Sequence, residues 1–383
     1  MKKFTMKDKA VLILDPRGNI TLGGGDVINR HVSYAKSLAK FGRTKRLKLK
    51  IFSSSLSHSS NIQTGALDLD LISKPTFNSY KFAKQCSKAV KVQSMDIKLL
   101  VVGDPWESYW SAYFLNKFLK RKIPIQIQVH GDIAHPLWKK INLKNRFRFI
   151  LAKSSLNKCE VIRCVSNEQK LNLINAFGID KRKIAVIPVP IEVVAKPLAP
   201  IERPRTIGLI GRIHEDRGIW NFVELVKNLN RLDKGFKLLI AGDGPARDKF
   251  IHQLENVIAK NRIRYLGLIS QEKLRSSWKS IGVLVSMAPV ESYGRVLRES
   301  LLAGVPVWAT ASSGVVDLLE SAEPGTVKIL DLEKNESDLH KDFESLLKVK
   351  VGSKFRDKFI KDNNSYSDEL AKSWIDTIEN FKK

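Results

Sequence analysis

Strand and helix signals alternate along the whole chain. A proline-rich stretch divides them into two series, and glycines cluster where strands end. These observations predict an α/β protein of two Rossmann-like, doubly wound domains facing a central cleft. A length of 383 residues agrees, since that exceeds one ordinary core.

The first series opens with Val11–Asp15, an apolar run stopped by Pro16, which reads as a buried strand. Leu22–Asp26 (LGGGD) reads as a glycine-rich loop, and Val27–Phe41 carries a helical apolar period closed by Gly42 as a C-cap. That loop has neither GxGxxG spacing nor a GK[ST] ending, so it makes no phosphate claim by itself. Further strands are expected at Leu47–Phe52, Ile97–Val102, Ile123–Val129, Glu160–Val165 and Lys183–Ile187, with helices between them. His130 follows the third of these, at a carboxyl end where ligands of parallel sheets collect. Prolines 188, 190, 197, 200 and 204 mark the domain boundary.

The second series runs through strands Thr206–Ile210, Phe236–Ala241, Ile263–Leu266, Ile281–Ser286, Val305–Ala309 and Val327–Leu330. Helices are expected over Trp220–Asn228, from Pro245 to about Ala259, over Ser270–Ser280, and after Ser313-Gly314, the last containing Asp317. Acidic helices follow, and Ser367–Phe381 is amphipathic with Trp374 and Ile378. Domains are therefore placed at 1–190 and 205–366.

Composition narrows the class. No apolar run reaches the roughly 20 residues needed to span a bilayer. The basic amino terminus lacks an apolar core and reads as a mature cytoplasmic start. Cys86, Cys159 and Cys164 have neither metal nor disulfide spacing, and Cys159 and Cys164, which fall in an apolar run, read as core thiols. The net charge is +27, and its distribution is uneven. Residues 1–200 hold 36 lysines and arginines against 13 acidic residues; residues 201–383 hold 30 against 26. The first half is built to meet something negative.

Met287–Trp308 (MAPVESYGRVLRESLLAGVPVW) carries the chemistry. Ser292, Tyr293 and Gly294 stand where a helix begins, and free N–H groups there favour an anion. Glu291 and Glu299 bracket that start and suit hydrogen bonds from hydroxyls. A phosphorylated sugar fits both features; a capped amphipathic helix with two exposed glutamates is the plainer alternative. Arg212 and Arg217 follow an earlier strand, and two guanidiniums can chelate a diphosphate. No paired acidic motif stands at a strand end to clamp a metal.

Gly211-Arg212…Arg217-Gly218, Ala241-Gly242-Asp243-Gly244-Pro245, Leu266-Gly267 and Glu291-Ser-Tyr-Gly-Arg…Glu299-Ser-Leu-Leu-Ala-Gly-Val-Pro-Val resemble glycosyltransferase family 4 over about 110 residues. The first domain resembles it more weakly, through Gly23–Gly25, His130, Val165-Ser166 and Val186-Ile187-Pro188. The resemblance implies a GT-B fold, in which the last helix, about 367–383, packs back on the first domain. It implies retaining transfer from a nucleotide-diphosphate sugar, with no cofactor and no metal. Glu299 would hold the ribose, and Glu291 the donor sugar. Gly211, Arg212 and Arg217 would meet the diphosphate, Arg217 standing where the family usually has lysine. The backbone of Ser292, Tyr293, Gly294 and Arg295 would lie near sugar and phosphate, and Leu266 and Gly267 near the base. His130 would sit by the donor sugar, Gly24 and Gly25 by phosphate and acceptor, and Asp317 where the family often has glutamate.

The basic first domain would take the acceptor, a glycan or lipid-linked molecule. Its clusters Arg43–Lys50, Lys117–Lys122 and Trp138–Lys153 read as a peripheral docking face for an anionic membrane, at the inner face. The last mixes lysines with Trp138, Phe147, Phe149 and Ile150 as an interfacial helix does. A soluble enzyme with a diffusible acceptor is the nearer rival. A nucleic-acid or polyanion binder explains the charge, but the recognition motifs of specific nucleic-acid binding are absent.

Overall fold

The computed structural model describes residues 9–22, 24–55, 62–64, 67–193 and 203–381. Two compact units emerge: residues 1–190 with 363–383, and residues 191–362.

The first unit is built on β1 (Lys9–Asp15), α1 (Asn19–Leu22), α2 (Gly24–Phe41), β2 (Leu47–Ser54), β3 (Ile62–Thr64), β4 (Leu67–Ser73), α3 (Ser79–Val92), β5 (Asp96–Val102), α4 (Glu107–Leu119), β6 (Ile125–Gln128), α5 (Leu143–Lys158), β7 (Val161–Cys164), α6 (Asn167–Phe177) and β8 (Ile184–Val186). The sheet order is β3-β4-β2-β1-β5-β6-β7-β8, parallel except for the β3–β4 pair. Helices cover both faces, so interior strands such as VLIL and LLVV are apolar without alternation. The three cysteines are buried free thiols, those of Cys159 and Cys164 pushed up to about 12 by burial.

The second unit contains β9 (Thr206–Ile210), α7 (Ile219–Leu232), β10 (Lys237–Ala241), α8 (Arg247–Glu255), β11 (Ile263–Tyr265), α9 (Gln271–Ser277), β12 (Val283–Ser286), α10 (Arg295–Leu302), β13 (Val307–Ala309), α11 (Ser313–Ser321), β14 (Val327–Ile329) and α12 (Glu336–Lys348). All strands are parallel in the order β11-β10-β9-β12-β13-β14. The order reverses between β9 and β12, which places a switch point at their carboxyl ends. The last helix, α13 (Lys354–Asn380), begins in the second unit and ends in the first. There Leu370, Ala371, Trp374, Ile375 and Ile378 join the core against Val11, Leu38 and Leu49.

Four local expectations are corrected. The glycine run is not a loop: Gly23 lies outside the described residues, while Gly24 and Gly25 form the first turn of α2. The turn comes earlier. The buried Asp15 carboxylate accepts from the Asn19 and Ile20 N–H groups and from Ser53 Oγ, and so caps α1 directly after β1. Gly42 does not end α2 in the left-handed region, since its φ is −90°. A Cβ there would lie 2.7 Å from the Leu38 carbonyl oxygen and 2.9 Å from Leu47, so space demands the glycine. The helix containing Trp374 is longer than its apolar period, because a polar segment from Lys354 continues into it. Finally, Lys50 does not belong to a basic surface. It is buried inside the sheet, where Nζ lies 2.6 Å from Asp68 and 2.8 Å from Asp70. Prolines 197 and 200 of the expected boundary lie outside the described residues.

Trp374 is fully buried, and its Nε1 donates to the Gln126 side-chain oxygen at 2.8 Å. Trp374→Ala is expected to lower unfolding free energy by about 3–5 kcal/mol. Trp374→Phe, which mainly strands the Gln126 acceptor, should cost about 1–3 kcal/mol. Urea titration of both variants checks the order.

Candidate active site

The carboxyl ends of β9 and β12 deliver two loops to one place. Behind β9, Gly211 and Arg212 lead through a short turn to Arg217 and Gly218. Gly218 has φ +69°, and a Cβ there would stand 2.1 Å from the Met287 carbonyl oxygen. The first loop can therefore lie against the end of β12 only because residue 218 has no side chain. Behind β12, the chain passes Glu291 and reaches α10 through Gly294, also left-handed at φ +67°.

A cavity of about 640 Å³ opens between these loops. Ile210–Arg212, Arg217, Asp243, Leu268, Gln271, Ser286, Glu291, Gly294–Leu297 and Glu299 are among its walls. Its size suits a nucleotide-sized ligand. The first turn of α10 faces it, and N–H groups there have no intrahelical partner.

Charge is paired across the cavity. Glu291 Oε2 accepts from Arg217 at 2.7 Å, and its Oε1 accepts from the Gly294 N–H at 3.3 Å. One carboxylate thus caps the loop and holds the guanidinium. Arg212 is exposed and lies 3.3 Å from Asp216, which His214 also contacts at 2.7 Å. Arg295 approaches Glu299 at 3.6 Å, and Glu299 is mostly buried.

A second layer supports the β12–α10 loop. The Gly314 N–H donates to the Glu291 carbonyl at 2.7 Å, and a Cβ on Gly314 would come within 2.7 Å of the Tyr293 backbone. Arg298 is buried, with its guanidinium 3.9 Å from the Tyr293 ring centroid and 2.7 Å from Asp317. Asp317 therefore serves as the anchor of that layer.

The cavity gathers Gly211, Arg212, Arg217, Glu291, Gly294, Arg295 and Glu299. Ser292 and Tyr293 are buried and are not among the residues that line it. Leu266 and Gly267 precede the lining residues Leu268 and Ile269 rather than lining it themselves. The Gly267 carbonyl instead accepts from the Gly242 N–H at 2.8 Å. Leu268, Gln271 and Asp243 escaped the sequence reading; the AGDGP turn that carries Asp243 was visible, but nothing in the sequence aimed the other two inward.

Gly24, Gly25 and His130 belong to the first unit. His130 follows β6 as an exposed residue, and Gly25 has nothing within 4 Å of an added Cβ. Desolvation by the protein around the ring, followed by the charges of Arg163 and Arg30, lowers the His130 pKa from its ordinary value, although part of the residue is open to solvent. The ring is therefore neutral near pH 7. Among the described residues, Asp233, His340 and Glu344 stand close enough together to hold a cation. Arg205 already lies 2.6 Å from both carboxylates and offsets one of their two charges.

Residues 26–194 match the model of "Glycosyltransferase Family 4", and residues 191–365 match that of "Glycosyl transferases group 1". The chain is 26% identical over 218 residues to the 2-deoxystreptamine glucosyltransferase of Streptomyces kanamyceticus, covering 53% of this chain and 56% of that protein. It is 22% identical over 256 residues to the phosphatidylinositol N-acetylglucosaminyltransferase GPI3 subunit of Saccharomyces cerevisiae, covering 64% and 54%. The matched region thus spans little more than half of either relative. Among solved structures, the lipopolysaccharide outer core galactosyltransferase WaaB superposes with a TM-score of 0.66 at 15% identity, covering 98% of this chain and all of that one. That likeness establishes the GT-B fold, two Rossmann-like domains.

Removing Asp317 would leave the Arg298 guanidinium buried without its carboxylate. Asp317→Ala is expected to cost about 3 kcal/mol of stability. Arg298→Met combined with Asp317→Leu should cost less than Asp317→Ala alone, as read from urea midpoints; additive losses would show that the pair is not a unit.

Proposed function

From the premise that the chain belongs to the group 1 and family 4 glycosyltransferases, we propose that it transfers a sugar from a nucleotide-diphosphate donor with retention of anomeric configuration. The observation that carries the proposal is the Glu291 bridge, which presents Arg217 beside the amino end of α10 in a cavity of nucleotide size.

In this reading, Glu299 holds the ribose hydroxyls. Arg212, Arg217 and the first-turn N–H groups of α10 take the diphosphate. The bond between the sugar's anomeric carbon and the diphosphate oxygen breaks, and a bond to the acceptor oxygen forms on the same face. The acceptor's proton passes to the departing diphosphate. Cationic and dipolar stabilisation of that leaving group is the main electrostatic task, and these groups supply it without a metal. By the family resemblance alone, His130 would contact the donor sugar, and Gly24 and Gly25 the phosphate and acceptor.

The acceptor is a lipid-linked or envelope glycan, and the enzyme works as a peripheral protein on an anionic membrane, at its cytoplasmic face. The relative named as a phosphatidylinositol N-acetylglucosaminyltransferase supports this choice, as does the excess of bases in residues 1–200. The relative named for 2-deoxystreptamine favours a second reading, a small diffusible acceptor.

Thermal shift with UDP, GDP and ADP and their sugars tests the donor site, and at least one pair should stabilise the protein. Glu299→Ala is expected to weaken that nucleotide about tenfold or more, whereas Glu291→Ala should chiefly lower turnover of radiolabelled donor. Activity should persist in excess EDTA. Unchanged kinetics in both variants would remove the assignment.

A further inference from the structure

Residues 137–158 contain seven lysines and arginines and no acidic residue. They also hold six large hydrophobic side chains open to solvent: Leu137, Ile141, Leu143, Phe147, Ile150 and Leu151. Leu143 is 81% exposed, Phe147 63% and Ile150 65%. Four of the six follow the i, i+4, i+7, i+8 pattern of one helix face. The helical period sets Lys144 on one flank of that stripe and Arg146 and Lys153 on the other. The opposite face, through Ala152, Ser155 and Leu156, is the one buried against the first unit. Helix α5 is thus apolar on both sides, and among the described residues only one side has a partner.

The stripe is held rigidly. Trp106 Nε1 donates to the Arg148 carbonyl at 2.8 Å, and the Arg148 guanidinium lies 2.7 Å from Glu107. Trp138 stacks on Trp106 at 5.8 Å with nearly parallel rings. The Asn142 side chain caps the amino end of α5, accepting from the Asn145 N–H at 2.8 Å. These contacts fix the helix and leave the stripe facing outward, so exposure is not a sign of fraying.

We infer that the Leu143–Phe147–Ile150–Leu151 face of α5 inserts into the surface of an anionic phospholipid bilayer, with Lys144, Arg146 and Lys153 set against its headgroups. This rests on the peripheral-membrane reading above and assigns it to one helix face. Charge complementarity selects the occupant: an apolar stripe between two basic flanks matches an acyl boundary beneath negative headgroups. A nucleic acid would meet the bases but leave Leu143, Phe147 and Ile150 in water. Among the described residues no helix is long and apolar enough to cross a membrane, so the contact lies along the interface.

The test uses the full chain and vesicles of phosphatidylglycerol mixed with phosphatidylcholine, against phosphatidylcholine alone. Binding to the anionic vesicles and little to the neutral ones is expected. F147S/I150S should weaken anionic binding about tenfold or more, and K144S/R146S/K153S should flatten its salt dependence. Equal binding to both vesicle types would overturn the inference. So would wild-type affinity in F147S/I150S, or tight binding to generic RNA with none to vesicles. Nucleotide-dependent thermal shift, measured on the same proteins, should be unchanged. Its absence in the wild type would sink the glycosyltransferase reading while leaving the vesicle result standing.

Discussion

One carboxylate organises the second unit. Glu291 accepts the Gly294 N–H with one oxygen and the Arg217 guanidinium with the other. It therefore joins the loop behind β12 to the loop behind β9, across the place where strand order reverses. Two neighbouring contacts depend on the same geometry. Gly218 must lack a side chain for the β9 loop to reach the Met287 carbonyl, and Gly314 must lack one for α11 to lie under Tyr293. Beneath them, Arg298 is clamped between the Tyr293 ring and Asp317. The cavity wall is thus a small set of mutually dependent contacts, each about one side chain deep.

The first unit is governed by a different balance. Its excess positive charge is neither uniformly exposed nor uniformly functional. Lys50 is spent inside the sheet on Asp68 and Asp70. Arg163 is fully buried, and its guanidinium is satisfied by the Ile187 and Pro188 carbonyls and the Gln128 side chain. Such charges stabilise strand ends and meet no external partner. Apart from Arg148, which pairs with Glu107, the bases of α5 differ because no acidic residue lies among them in the sequence and they flank apolar surface. A count of lysines therefore overstates a docking face, and the local companions of each lysine decide its role.

Much of the architecture was legible because parallel sheets covered on both faces demand continuous apolar runs, and those runs stand out between glycines and prolines. Arg212, Arg217, Glu291 and Glu299 were legible for a related reason: each sits in a short motif at a strand end or helix start. Long-range pairing was not. Nothing near Arg298 announces that Asp317 will neutralise it, and nothing near Lys50 announces β4. The glycine run misled because composition favours a loop there. Asp15 had already made the turn, and the helical period beyond Val27 extends back through two glycines. The β4 segment, LDLDLIS, does alternate as a strand should, and its omission was a missed signal.

Helix α13 places Leu370, Trp374, Ile375 and Ile378 in the core formed by the chain's first strands. During synthesis the amino-terminal unit consequently cannot finish first. Residues 191–362 are all made while its sheet still lacks the side chains that seal one face. Amino-terminal folding ahead of the rest, the usual order on the ribosome, is closed to this protein. The apolar surface around Val11, Leu38 and Leu49 gains its cover only once residues 370–378 have been made.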